Sequence, residues 1–265
     1  MKKILLHFVL LSTFLFSCKT DRKTSENIKL PKQDTVTAIK TKSDTISTTK
    51  SNNRPTLKSP IQGIDVSHFQ GAINWEEIKE NGISYVYIKA TEGNIFKDPK
   101  FDTNRSSAKK HGIYRGAYHF YETGINPIAQ AQNFVSVVKI LETGDLPPVL
   151  DLEQGGIKTT VTKEQYQQNT LQWLHYVEKK LGVTPIIYCS TNFANEYLDT
   201  PKLAHYRLWL AEYTQKTLYL PYTWKKTGWT FWQRTDLKKL KGVNGDVDYD
   251  LFNGDSKAFY ALVKQ

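Results

Sequence analysis

Cysteine is almost absent from this 265-residue chain: only Cys18 and Cys189 occur. No disulfide framework can be built from such a pair if Cys18 is used elsewhere. The six histidines are scattered, so no Cys/His spacing fits a zinc site. Neither a metal nor a cofactor is expected. Cys189 lies in the apolar run Ile186-Ile187-Tyr188-Cys189-Ser190 and reads as a buried free thiol. The apolar stretch Ile4–Phe16 has 13 residues, interrupted by His7, Ser12 and Thr13, which is too short to span a bilayer. Residues 19–60 contain no aromatic residue at all. A basic domain is also missing. The formal charge is +10, but Lys2 and Lys3 carry +2 and residues 19–60 carry +6, which leaves only +2 on residues 61–265. A nucleic-acid partner needs a basic face on the folded domain and is therefore excluded.

Residues 1–18 have the layout of a signal peptide: a basic start at Lys2 and Lys3, a short apolar core, and small Ser17 before Cys18. Leu15-Phe16-Ser17-Cys18 resembles the lipobox of bacterial lipoproteins. By that resemblance Cys18 is lipidated, and the protein is held to a membrane in the bacterial cell envelope. Several acyl chains on one cysteine anchor stably, at about 0.8 kcal/mol per buried methylene. Residues 19–60, rich in Lys, Ser and Thr, cannot bury enough apolar surface to offset their ordering entropy. They read as a disordered tether, either a plain soluble linker or a strip lying against anionic lipid or acidic envelope polymer.

Residues 61–265 suffice for one sizeable core and are expected to form one monomeric domain. Strand patterns fall at Gln62–Ser67, Tyr85–Thr91, Tyr114–Tyr121, Pro148–Glu153 and Pro185–Ser190. Helical patterns alternate with them at Trp75–Asn81, Phe101–His111, Ile128–Leu141 and Lys163–Leu181. Gly82, Gly112 and Gly182 punctuate helix ends. The final third holds strands at Arg207–Tyr213, Thr230–Arg234 and Val247–Phe252 with no long amphipathic helix between them. Five β/α units followed by three nearly bare strands predict an α/β fold, an irregular eight-stranded TIM-like barrel.

The chemistry concentrates at Pro147-Pro148-Val149-Leu150-Asp151-Leu152-Glu153. Side chains alternate along a strand, so Asp151 and Glu153 face the same way with Cα atoms roughly 6.5–7 Å apart. Such a pair repels, which raises the pKa of one member and lets it hold a proton at neutral pH. Glycoside hydrolysis uses carboxylates in this way; a solvated loop opening uses them too. Further acids sit at comparable strand ends: Asp65 near the end of the first strand, Glu92 after the second, Asp246 and Asp248 at the start of the last. Active sites of such barrels lie at the C-terminal ends of the strands. Tyr118, Phe120, Tyr188, Trp209, Tyr213 and Trp232 cluster at these ends, where aromatic faces suit sugar rings as well as core packing. Tyr118, Glu92, Tyr188, Trp209 and Gln233 are the candidate substrate-binding residues.

Eight pieces in order resemble glycoside hydrolase family 25, the N-acetylmuramidase (lysozyme) family. They are Gly-Ile-Asp-Val-Ser-His-Phe-Gln (63–70), Tyr-Ile-Lys-Ala-Thr-Glu-Gly (87–93), Gly-Ala-Tyr-His-Phe (116–120) and Pro-Val-Leu-Asp-Leu-Glu (148–153), then Ile-Ile-Tyr-Cys-Ser (186–190), Leu-Trp-Leu-Ala-Glu-Tyr (208–213), Phe-Trp-Gln (231–233) and Gly-Asp-Val-Asp-Tyr-Asp-Leu-Phe (245–252). The resemblance implies a (β/α)5(β)3 barrel and cleavage of the β-1,4 bond between N-acetylmuramic acid and N-acetylglucosamine in peptidoglycan strands. It places the family's acids on Asp65, Asp151, Glu153 and Asp248. Glu153 is then the general acid, its pKa raised by Asp151 and partial burial, while Asp151 stays charged. The pair also resembles that of substrate-assisted chitinases, in which the 2-acetamido group attacks the anomeric carbon, and net retention is expected. Asp65 and Asp248 tune the charge or bind hydroxyls. One departure stands out: the family's V-D-x-N reads Val247-Asp248-Tyr249-Asp250, a carboxylate in place of an amide. A chitinase-like hexosaminidase or a non-catalytic glycan-binding lipoprotein fits parts of this pattern. The binding module is expected to lose an acid, yet all four are present.

Overall fold

The computed structural model describes residues 56–213 and 217–264. The expected signal peptide, its Cys18 and most of the expected tether lie outside the described residues. The packed domain includes Leu57, whose N–H donates to Ser256 Oγ at 2.8 Å, and Ile61 is buried.

In chain order the elements are β1 (Gln62–Val66), α1 (Trp75–Glu80), β2 (Ile83–Glu92), β3 (Phe96–Lys97), α2 (Phe101–Lys110), β4 (Tyr114–Phe120), α3 (Pro127–Val138), β5 (Val149–Asp151), α4 (Lys163–Leu181), β6 (Ile186–Ser190), α5 (Thr191–Tyr197), β7 (Arg207–Ala211), β8 (Phe231–Lys238), β9 (Val247–Phe252) and α6 (Ser256–Leu262). Eight strands run β1-β9-β8-β7-β6-β5-β4-β2, and β2 pairs back onto β1 to close the barrel. β3 is a short antiparallel extension on the end of β2. Five β/α units precede three strands, as the sequence pattern predicts. β9 alone among the eight is antiparallel to both neighbours. Its start therefore lies at the mouth, where Asp248 is the register partner of Asp65.

The helices form where the sequence supplies both a stripe and caps. In α4, Tyr166, Thr170, Trp173, Leu174 and Val177 are buried at helical spacing. Thr162 caps the first turn by accepting from the Gln165 N–H, and Gly182 ends it at φ 69°, a left-handed turn that glycine adopts without strain. α3 stops at Val138, short of the expected Leu141, because Lys139 turns to φ 61°.

Two apolar layers result. Outward residues of the strands, among them Ile64, Val86, Ile88, Leu150, Ile187 and Leu208, pack against the helices. Inward residues fill the barrel: Tyr85, Tyr87, Val149, Ile186, Trp209 and Phe231. Gly63 and Gly116 make room for two of these rings. A Cβ on Gly63 would fall 2.2 Å from the Tyr85 ring, and one on Gly116 2.1 Å from that of Tyr87. α6 closes the lower end, with Phe259 packed 5.7 Å from Tyr85 and 5.2 Å from Phe252, ring to ring. The barrel interior is thus aromatic at the bottom and free to be polar at the top.

Candidate active site

β5 ends at Asp151, but the extended backbone continues: the Leu152 N–H donates to the Tyr188 carbonyl at 3.0 Å, and Glu153 keeps φ −146°, ψ 170°. Strand alternation therefore holds through residue 153. Leu152 is wholly buried in the outer layer, and Asp151 and Glu153 both line the open end of the barrel. There they meet Asp65 from β1 and Asp248 from β9 in a cleft of about 310 Å³. The four expected acids are brought together. Tyr118, Tyr188 and Trp209 line the same cleft, with Phe120 and Tyr213.

Other expected positions stand outside that lining. Gln233 is 3 % exposed and stands behind the acids. Its Nε2 donates to Asp65 Oδ2 at 2.8 Å, and its Oε1 accepts from the hydroxyls of Tyr188 and Tyr213, each at 2.8 Å. It orients an acid and two phenols and is not part of the cleft lining. Glu92 is also outside that lining; its Oε2 accepts from Lys89 Nζ at 2.6 Å. Trp232 alternates with inward Phe231 and Gln233, so it faces away from the cleft; its Nε1 donates to the Glu212 carbonyl at 2.7 Å. Asp246 instead pairs with Lys239 at the surface.

Three lining residues carry roles the sequence did not assign. Lys89 is inward on β2, in register with Tyr85 and Tyr87, and is 6 % exposed. A lysine within the buried run Tyr85–Ala90 was the available signal. Asp236, from the long β8, and Phe69, after β1, complete the rim.

The electrostatics follow from burial. Asp151 is raised well above the ordinary carboxylate range, first by burial and then by the charge of Glu153, with Lys89 opposing. Its Oδ1 is buried without a hydrogen-bond partner among the described residues. Glu153 is raised by burial, opposed by Lys89 and reinforced by Glu92. Asp151, expected to stay charged, is thus the more deeply buried member, and the pair's mutual repulsion bears on it. Asp65 is raised well above its usual value by burial and then by Asp248 and Asp250. Asp248 is pushed up to about 6 by burial and then by Asp236. Asp250, expected to add negative charge, is wholly buried below the cleft, where its Oδ1 accepts from Trp209 Nε1 at 2.8 Å. Burial raises its pKa well above normal.

Such a site can donate a proton to a leaving oxygen and stabilise positive charge on a sugar ring. Among the described residues no cluster of metal-ligating side chains accompanies it. A second lobe of the cleft shares Glu153, Tyr188 and Tyr213 and is completed by Gln154, Ser190, Asn192 and Glu212. Glu153 stands where the two lobes join.

The profile of "Glycosyl hydrolases family 25" matches residues 64–243. The uncharacterized protein YegX of Escherichia coli strain K12 is 36% identical over 208 residues, covering 77% of this chain and 73% of its own. Lysozyme M1 of Streptomyces globisporus is 35% identical over 224 residues, covering 78% and 73%. The crystal structure of the bacterial lysozyme from Streptomyces coelicolor superposes with a TM-score of 0.73 at 34% identity, covering 78% of this chain and 98% of that one. With its acids gathered at the mouth of a closed eight-stranded barrel, the chain belongs to glycosyl hydrolase family 25.

Proposed function

We propose that this glycoside hydrolase is a peptidoglycan N-acetylmuramidase that cleaves the β-1,4 bond between N-acetylmuramic acid and N-acetylglucosamine. The observation that carries the reading is the Asp151–Glu153 pair at the junction of two lobes, with an Asp151 oxygen buried and unpartnered. Lysozymes among the relatives support the choice of polymer.

Glu153 protonates the glycosidic oxygen as the C–O bond breaks. The carbonyl oxygen of the 2-acetamido group attacks the anomeric carbon and forms an oxazolinium ion. Asp151 accepts the acetamido N–H and stabilises the positive charge that grows there. The leaving sugar departs through the lobe lined by Ser190 and Asn192. Glu153, now a carboxylate, takes a proton from water as that water opens the ring, so the configuration is retained. A buried acceptor without a partner is costly. The acetamido N–H supplies its missing partner, and a raised Asp151 pKa falls as the cation forms beside it.

The roles separate by leaving group. Glu153→Gln should slow peptidoglycan cleavage by roughly 10²–10⁴-fold. An aryl glycoside that keeps the 2-acetamido group but has a good leaving group should recover much of that loss. Asp151→Asn should be slow on both substrates. Equal rescue of the two variants, or rescue of Asp151→Asn alone, would show the roles to be misassigned.

A further inference from the structure

Phe69 lines the acid cleft with Asp65 and Asp236, yet it is 78 % exposed, so core packing does not account for it. The chain beneath it is tied down. Ser67 Oγ accepts the Phe69 N–H at 3.2 Å, and the Ser67 N–H donates to Gln70 Oε1 at 2.8 Å. The neighbouring His68 donates twice to Asp98 Oδ2, from its main-chain N–H at 3.0 Å and from Nδ1 at 2.8 Å. Asp98 is buried, and its other oxygen accepts the Lys100 N–H at 2.8 Å. The His68 ring lies 4.1 Å from that of Phe69 and 5.7 Å from that of Phe96, centroid to centroid. A buried carboxylate thus holds the His68 ring, which lies against those of Phe69 and Phe96 beside the cleft.

We propose that Phe69, backed by His68 and Phe96, is a stacking platform for a sugar ring on the glycone side of the scissile bond. The inference rests on the proposed muramidase reading. A pyranose presents a face of C–H groups, and an aromatic face carries the negative part of its quadrupole, so the two attract. A rigid, preorganised ring binds with little loss of conformational entropy. The side follows from the lobes. Glu153 lines both, whereas Asp151 and Phe69 line only the acid lobe. The sugar whose acetamido group meets Asp151 occupies that lobe. Phe69, out at its rim, then meets the sugar joined to the non-reducing end of that one.

The test uses the full chain with Phe69→Ala, Phe69→Leu and Phe69→Trp. Initial rates are measured over a range of soluble peptidoglycan fragments, beside thermal unfolding. Phe69→Ala should raise KM by about tenfold, equivalent to ~1.4 kcal/mol, with kcat and the unfolding midpoint little changed. Phe69→Leu should behave like the alanine variant, because it restores apolar area without a ring face. Phe69→Trp should return KM to the wild-type range. An unchanged KM in Phe69→Ala overturns the platform. So does full rescue by leucine, or a loss confined to kcat. Failure of the wild-type protein to cleave any peptidoglycan defeats the underlying reading, and the platform with it, and is distinct from any pattern among the variants.

Discussion

Lys89 is the one cation among the described residues lining a cleft that holds five carboxylates, Asp65, Asp151, Glu153, Asp236 and Asp248. Its Nζ lies 4.8 Å above the Phe120 ring and bonds Glu92, so it is held in place and does not range freely among the acids. A cation favours the ionised form of a neighbouring acid, and Lys89 lowers both Asp151 and Glu153 against the effect of burial. Lys89→Met removes that pull, so both pKa values should rise. Glu153 then keeps its proton to higher pH, and the alkaline limb of the pH–rate profile should move to higher pH. A limb that stays put or moves down would mean that Lys89 does not act on the pair. Asp248 offers a stability test. Its folded pKa of about 6 lies above the 3.8 of an ordinary aspartate, so its contribution is fully present below about pH 4 and lost as pH rises through 6. Asp248→Asn should therefore stabilise the fold at pH 7 by about 1–3 kcal/mol, the lower end applying because the side chain is partly exposed. The gain should vanish at pH 4 in denaturant titrations. Activity should fall where stability rises, as expected for acids crowded together for chemistry.

The strands and long helices were legible in the sequence because each carries its period. Lys163–Leu181 is a helix over the predicted bounds, and Val247–Phe252 is a strand over its own. Three elements were not foreseen. β3 is two exposed residues, and α5 and α6 are seven residues each. The direction of β9 was also hidden, because it depends on pairing with both β8 and β1. That direction explains an oddity of the sequence: Asp248 opens its strand while Asp65 nears the end of its own, yet the two face each other. The acid pair was readable because it needs one strand and a period of two. The roles of Lys89 and Phe69, and the partners of Gln233, were not, because what each touches is set by strands distant in sequence. Closure of the barrel around large rings is a prediction at this scale. A methyl on Gly116 has no room beside the Tyr87 ring. Gly116→Ala should cost about 1–3 kcal/mol by overpacking. A denaturation midpoint equal to wild type would show that the barrel interior yields more readily than its packing implies.

At the scale of the whole domain, one end of the barrel is spent on stability and the other on chemistry. Phe259 and Val263 at the α6 end seal the lower mouth against Tyr85, Phe231 and Phe252, while the upper mouth gathers acids that each lose solvation there. A sequence selected for stability alone would not collect them; a glycan held across two lobes with Glu153 between them gives them a use. The choice of bond is the central claim, and the products report it directly. Purified peptidoglycan is digested with the protein, the products are reduced with borohydride, and the sugar that has become an alditol is identified by mass spectrometry. The account predicts muropeptides ending in reduced N-acetylmuramic acid, whereas fragments ending in reduced N-acetylglucosamine would contradict it.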